Sequence, residues 1–83
     1  MQCAIYKSNT KADTYLYVQE AGNFSRVPQN LLRLLGRLDL VMTLKLTPDR
    51  TLARADPDQV RQQLETQGYY LQLPPSDITD SPN

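Results

Sequence analysis

The sequence has little of the chemistry on which most catalytic and metal sites depend. It contains no histidine and only one cysteine, Cys3, among its 83 residues. The lack of histidine removes the usual general base, the usual zinc ligand and the usual proton switch near neutral pH. A single cysteine excludes a disulfide within the chain and favours a reducing compartment. We therefore expect a cytoplasmic protein that is not an enzyme and holds no metal or cofactor.

Net charge and long hydrophobic runs are missing as well. Nine basic residues balance nine acidic ones, so no general attraction to nucleic acid or to an anionic membrane is expected. No apolar run approaches the roughly 18–20 residues of a membrane-spanning helix, and the first residues do not form a secretory signal. A chain of this length makes one domain with a thin core. We predict that the domain covers residues 1–75 and that residues 76–83 are a polar, flexible tail.

Alternating hydrophobicity predicts four strands. The most regular pattern runs over residues 38–46, where every second side chain is apolar, and it predicts a strand with one face on a core. Residues 2–7 and 13–19 also alternate and are joined by a polar loop, which indicates an antiparallel hairpin. The last strand is predicted over 69–73. It ends at Pro74-Pro75 because proline cannot donate to a strand ladder.

Two helices are predicted between these strands. Leucines at 31, 32, 34 and 35 form a helical stripe that follows Pro28 and ends at Gly36. Its N-cap is Ser25 or Val27, and Ser25 is favoured because serine supplies a capping oxygen. The second helix begins at Asp56-Pro57, with Asp56 as the N-cap, and ends at Gly68.

The resulting order β-β-α-β-α-β indicates an α/β protein of the α+β kind. Each helix has one apolar stripe, so we expect both to cover one face of a four-stranded sheet in a two-layer sandwich. The strands at 38–46 and 69–73 are compatible with a right-handed parallel crossover or with an antiparallel return.

Several short segments carry a family resemblance. The most specific is Gly68-Tyr69-Tyr70-Leu71-Gln72-Leu73-Pro74-Pro75, and weaker matches lie at 3–8, 14–18 and 24–28. Together they resemble the YcgL domain family of small bacterial proteins over roughly residues 3–75. The resemblance implies an α/β fold and a cytoplasmic, Gram-negative setting. It implies no activity, although the neighbouring gene often encodes an RNA-trimming ribonuclease, which associates the family with RNA metabolism.

The strand registers predict one candidate binding surface. If the predicted core residues face the helices, an uncovered sheet face carries these side chains: Tyr6, Tyr15, Tyr17, Tyr70, Thr43 and Lys45. Tyrosine is enriched at protein interfaces, so another protein is the expected partner, with a homodimer as a variant. Single-stranded RNA is the alternative, because bases stack on aromatic side chains, and a ribonuclease is a further possible partner. A purely structural explanation is also open, because tyrosine is favoured on partly solvent-exposed strand faces, where it forms cross-strand pairs.

The remaining polar candidates have structural explanations. Arg26, Arg33 and Arg37 could contact phosphates, although such arginines more often form the solvated side of an amphipathic helix. Cys3 has no histidine to activate it and is expected to be buried. Three acidic residues could suggest a magnesium site, but they are better explained as a turn residue, a cap and a first-turn residue: Asp49, Asp56 and Asp58.

Overall fold

The computed structural model describes residues 2–47 and 56–74. Its elements are β1 (Gln2–Ser8), β2 (Tyr15–Val18), α1 (Gln29–Leu35), β3 (Leu38–Lys45), α2 (Pro57–Thr66) and β4 (Tyr69–Gln72). The predicted order and the α+β class are confirmed. Neither helix in this described part is long and apolar enough to cross a membrane. Asp49 and the predicted tail at 76–83 lie outside the described residues.

The β1–β2 hairpin forms the centre of the sheet. The strand order is β3-β1-β2-β4, and every neighbouring pair is antiparallel. The predicted hairpin is therefore confirmed. The strands β3 and β4, whose mutual pairing the sequence left open, lie at opposite edges and do not pair with each other.

Both faces of the sheet are apolar and each is covered by one helix. Cross-strand pairing places Ile5, Tyr17 and Tyr70 on one face, which packs against Val60 and Leu64 of α2. The opposite face, with side chains such as Tyr6, Leu16 and Leu71, packs against Leu35 of α1. We call these the α2 face and the α1 face.

The prediction that both helices cover one face, in two layers, is therefore wrong. The reason lies in β1, where four consecutive residues, 3–6, are buried. Successive side chains on a strand point to opposite faces, so a run of buried residues requires cover on both sides of the sheet. The prediction from the sequence assigned β1 only one core-facing side.

A β-bulge divides the apolar side of β3. Met42 pairs with Ile5 and Leu40 pairs with Tyr6, which leaves Val41 as the extra residue. The bulge moves Leu40 to the α1 face and Met42 to the α2 face, because one inserted residue reverses the alternation. The prediction that the strand at 38–46 has one continuous core-facing side is therefore wrong.

The helix starts agree with the sequence at α2 and differ at α1. Asp56 caps α2, where its Oδ1 accepts a hydrogen bond from the backbone N–H of Asp58 at 3.0 Å, and Pro57 is the first helical residue, as predicted. At α1 the N-cap is Pro28, with no side-chain cap. Ser25 instead donates its hydroxyl to Oδ1 of Asn23 at 2.7 Å, so neither Ser25 nor Val27 caps this helix.

We predict that Gly68→Ala destabilises the protein more than Gly22→Ala. Both glycines have positive φ, 93° and 82°, so each alanine meets backbone strain of roughly 1–2 kcal/mol. A Cβ at Gly68 would also lie 2.6 Å from the Cβ of Arg26, whereas a Cβ at Gly22 would meet nothing within 4 Å. Urea denaturation of the two variants measures the difference in unfolding free energy. Equal losses would contradict the close approach of Arg26 to Gly68.

We also predict that stability falls at alkaline pH. Burial raises the pKa of the Cys3 thiol from 9.0 to about 11. In the unfolded chain the Cys3 thiol ionises at a lower pH than in the folded chain. Its contribution to the free energy of unfolding is therefore intact below about pH 9 and is lost as the pH rises toward 11. This group should lower the unfolding free energy near pH 10 by roughly 1 kcal/mol relative to neutral pH. Urea denaturation between neutral pH and pH 11 measures this effect. In the Cys3→Ala variant, whatever its stability at neutral pH, the unfolding free energy should decline less with pH than in the unaltered chain. An equal decline in both would contradict the burial of the thiol.

Candidate functional site

The structure separates the four tyrosines that were predicted to share an uncovered face. Tyr15, Tyr17 and Tyr70 lie on the α2 face, whereas Tyr6 lies on the α1 face. Tyr6 is only 7% exposed and Tyr17 only 5% exposed. The predicted common face is therefore wrong, because both sides of the hairpin belong to the core. Lys45 is exposed near the end of β3 and pairs with Gln2, which places it on the α1 side.

The two buried tyrosines have internal partners. The hydroxyl of Tyr6 accepts a hydrogen bond from the backbone N–H of Gly22 at 2.7 Å, and its ring packs edge to face on Phe24. The hydroxyl of Tyr17 donates to Oε1 of Gln72 at 2.6 Å. Burial raises the pKa of Tyr17 to about 12, with smaller contributions from neighbouring groups. Both rings therefore serve the core, and a binding role for Tyr15, Tyr70 and Lys45 stays a prediction.

The candidate reactive groups Cys3, Asp56 and Asp58 have structural roles or partners in the fold. Cys3 is buried, and its raised pKa keeps the thiol protonated at neutral pH, where a thiol is a poor nucleophile. Asp56 caps α2, and Asp58 lies 3.4 Å from the guanidinium of Arg61. In the part of the chain that the structure describes, no three residues of the types His, Cys, Asp and Glu come together as metal ligands.

Two of the three candidate arginines have partners within the protein, and the third, Arg33, is exposed in the last turn of α1. Arg37 lies 3.2 Å from Asp39 in an exposed ion pair. Arg26 crosses Gly68 and donates from Nη2 to the backbone oxygen of Thr66 at 3.2 Å, at the end of α2. Gln19 donates to the backbone oxygen of Leu64 at 3.1 Å. These two side chains satisfy terminal carbonyls of α2, which explains the polar hollow of about 80 Å³ beside them as a helix-capping site.

An apolar groove lies between α1, the β1–β2 loop and the end of β4. It has a volume of about 300 Å³ and is lined by Lys11, Ala12, Thr14, Leu31, Leu34, Leu35, Leu71, Leu73 and Pro74. We call it the leucine groove. Leu34 and Leu73, on its helix and strand sides, are 56% and 53% exposed. Two large apolar side chains are thus open to solvent at one concave site.

A buried serine joins two of the three walls of the leucine groove, the β1–β2 loop and α1. Ser8 donates its hydroxyl to the backbone oxygen of Leu35, the last residue of α1, at 2.5 Å. The Oγ of Ser8 also accepts hydrogen bonds from the backbone N–H groups of Thr10 at 3.2 Å and Lys11 at 2.9 Å. The loop wall and the helix wall are therefore joined through one side chain.

The second exposed apolar surface is the middle of β3. Leu40, Val41 and Met42 are 53%, 51% and 41% exposed. These three consecutive residues surround the bulge, so their side chains reach both faces at the edge of the sheet. We call this surface the β3 edge.

Neither surface was predicted from the sequence, because the apolar patterns assign most of their residues to the core. Leu34, Leu40, Met42 and Leu73 all belong to regular apolar patterns that predicted core-facing positions. One local signal was present: Leu40-Val41-Met42 is apolar at three successive positions, which a half-buried strand does not need. No comparable signal marks Leu34 or Leu73, whose exposure depends on where α1 and β4 end.

Comparison with known proteins connects this architecture to one family. The model of the YcgL domain matches residues 3–75. A YcgL domain-containing protein of Pseudoalteromonas atlantica is 48% identical over 73 residues, which are 88% of this chain and 77% of that protein. Protein YcgL of Shigella dysenteriae is 49% identical over 76 residues, which are 92% of this chain and 70% of that protein.

One further relative contains the matching stretch inside a much longer chain. It is named a putative HAD-like hydrolase, from Nitrosococcus oceani, and it is 51% identical over 71 residues. These residues are 86% of the present chain but only 19% of that protein. The family match and the high identity of relatives that this chain covers over most of their length lead to one conclusion: the chain belongs to the YcgL domain family.

Proposed function

We propose that this chain is a non-enzymatic protein-interaction module of the bacterial cytoplasm, and that its docking site is the leucine groove. The observation that carries the proposal is the exposure of Leu34 and Leu73 on the two sides of one apolar concavity. Exposed apolar surface rimmed by polar residues is characteristic of protein-binding sites. The tyrosine-bearing face that the sequence suggested is replaced in this proposal by the groove.

The groove has the size and composition to receive one or two apolar side chains of a partner. Its volume of about 300 Å³ is at the lower end of the range for ligand pockets. Six of its lining residues are leucine or proline, while Lys11 and Thr14 place polar groups among them. A central apolar anchor surrounded by polar contacts is the usual anatomy of a protein interface.

The partner class that we propose is a HAD-like hydrolase. In the Nitrosococcus oceani relative, a stretch equivalent to this chain is covalently part of a protein with that name and makes up 19% of it. Covalent linkage and non-covalent docking are alternative ways of keeping two domains together. We infer that the present chain binds a HAD-like hydrolase non-covalently through its surface, whereas in the relative the two parts belong to one chain.

Single-stranded RNA is the weaker alternative. Burial of Tyr6 and Tyr17 removes two of the four rings that base stacking would use, and only Tyr15 and Tyr70 stay half-exposed. Salt-sensitive binding of a single-stranded oligonucleotide, weakened by Tyr15→Ala and Tyr70→Ala, would favour RNA over the protein partner.

We predict that Leu34→Lys combined with Leu73→Lys abolishes capture of the partner. The two charges occupy the sides of the groove and oppose its desolvation, so affinity should fall at least about tenfold. The measurement is affinity purification of the tagged chain from its native cells, followed by mass spectrometry. A HAD-like hydrolase should be retained by the unaltered chain and lost with the variant.

The matched control is Leu40→Lys combined with Met42→Lys, which changes the same number of exposed apolar side chains elsewhere. It should retain the hydrolase. Circular dichroism and urea denaturation verify that both variants fold. The proposal is wrong if no HAD-like hydrolase is retained, or if retention is the same in the groove variant as in the unaltered chain.

A further inference from the structure

The leucine groove lies directly beside the point where residues 75–83 leave the described part of the chain. Pro74, the last described residue, is itself one of the lining residues and follows Leu73 on the strand side. Four residues span at most about 13 Å when fully extended. A side chain at position 78 is therefore close enough to enter the groove from its own chain.

That position holds the single apolar anchor of the segment. Ile78 is the only large apolar residue among residues 75–83, and it stands between Asp77 and Thr79. The groove offers a complementary surface, because Leu34 and Leu73 are exposed to water on its helix side and its strand side. Contact of an isoleucine with leucines removes apolar surface from water on both sides, which favours the contact.

The residues between Pro74 and Ile78 are typical of a reversal of chain direction. Proline is favoured at the second position of a type I β-turn, and serine and aspartate are common turn residues. The sequence Pro74-Pro75-Ser76-Asp77 therefore favours a turn with Pro75 at its second position. A turn brings its first and fourth Cα atoms within about 7 Å of each other, so the next residue, Ile78, returns toward the groove wall at Pro74.

The charges at the groove favour this segment over an arbitrary apolar ligand. Lys11 is the only charged residue that lines the groove, since Asp13 of the same loop is not among the lining residues. Asp77 and Asp80 flank Ile78 on both sides, so an inserted Ile78 brings two carboxylates toward the lysine. Lys11 is exposed, so this attraction is modest and weakens with salt.

We propose that residues 76–80 fold back onto the leucine groove, with Ile78 inserted between its helix side and its strand side, and that this contact regulates docking by competing with the partner. A segment joined by a short flexible link acts at an effective concentration of about millimolar. The apparent dissociation constant of a partner equals its intrinsic value divided by the fraction of open molecules. As regulation of the groove, this inference rests on the proposed function.

NMR spectroscopy of the methyl groups tests the contact without any partner. Leu34 is the reporter, because it is remote from the segment in sequence and senses position 78 only if that residue reaches the groove. The unaltered chain should show a nuclear Overhauser effect between the methyl groups of Leu34 and Ile78. Ile78→Asn should change the Leu34 methyl shifts, whereas Ile78→Leu, which keeps an apolar anchor, should change them much less. The Leu40 methyl groups, on the β3 edge, should be unchanged in both variants.

Two outcomes of this measurement would overturn the proposal. The first is a set of Leu34 methyl shifts that is the same in the unaltered chain and in Ile78→Asn. The second is a dependence of these shifts on protein concentration between low and high micromolar, which would assign the bound segment to a second copy.

Capture of the hydrolase measures the regulation. Ile78→Asn should retain several-fold more HAD-like hydrolase than the unaltered chain or Ile78→Leu, because it leaves the groove open. Equal retention would overturn the regulatory role. If no form retains a hydrolase while the Leu34–Ile78 contact is observed, the proposed function is contradicted and the contact within the chain is supported.

Discussion

The structure depends on the burial of four consecutive residues in β1. Residues 3–6 alternate between the two faces of the sheet, and all of them are withdrawn from water. One helix on one face cannot achieve this, so α1 and α2 must lie on opposite sides. Each side then has only a single short helix. The helix α2 packs mainly against β2 and β4, and the outer strand β3 is left largely uncovered. The exposed edge is therefore a consequence of how the centre is buried.

A second constraint is the contact between the loop before α1 and the C-terminal end of α2. Arg26 comes from the loop before α1, and its side chain passes over Gly68 to reach the backbone oxygen of Thr66. Residue 26 belongs to one of the segments that resemble the YcgL family, and Gly68 opens another. Their contact gives these separated motifs a common structural purpose, which is to close the C-terminal end of a helix against the sheet. These two segments thus have a structural role in this contact, which by itself specifies no activity.

The sequence was sufficient for the elements and their order but insufficient for their placement. The hairpin, the cap at Asp56 and the glycine after α2 follow from local rules of alternation, capping and positive φ. The face that each helix covers depends on contacts between distant segments, and apolar periodicity does not encode it. Because the alternation of β3 was read without its bulge, Leu40 and Met42 were assigned to one buried side.

The same limitation affected the candidate site. Tyrosine fits both a wet strand face and a core with polar partners, and the partners of Tyr6 and Tyr17 are Gly22 and Gln72, each distant in sequence. The exposure of Leu34 and Leu73 depends on the lengths of α1 and β4, which local patterns predict only approximately. Composition and strand registers therefore predicted a binding surface, while the location of the exposed apolar surfaces required the fold.

The hydroxyl of Ser8 has a consequence for how a ligand would be received. It donates to the last residue of α1 and accepts from two N–H groups of the β1–β2 loop, so three backbone groups from two segments meet at one buried atom. Because the loop wall and the helix wall of the leucine groove are joined in this way, we expect these two walls to keep their separation when the groove is empty. The conformational entropy of these two walls is lost when the chain folds, so ligand binding does not have to offset that loss again.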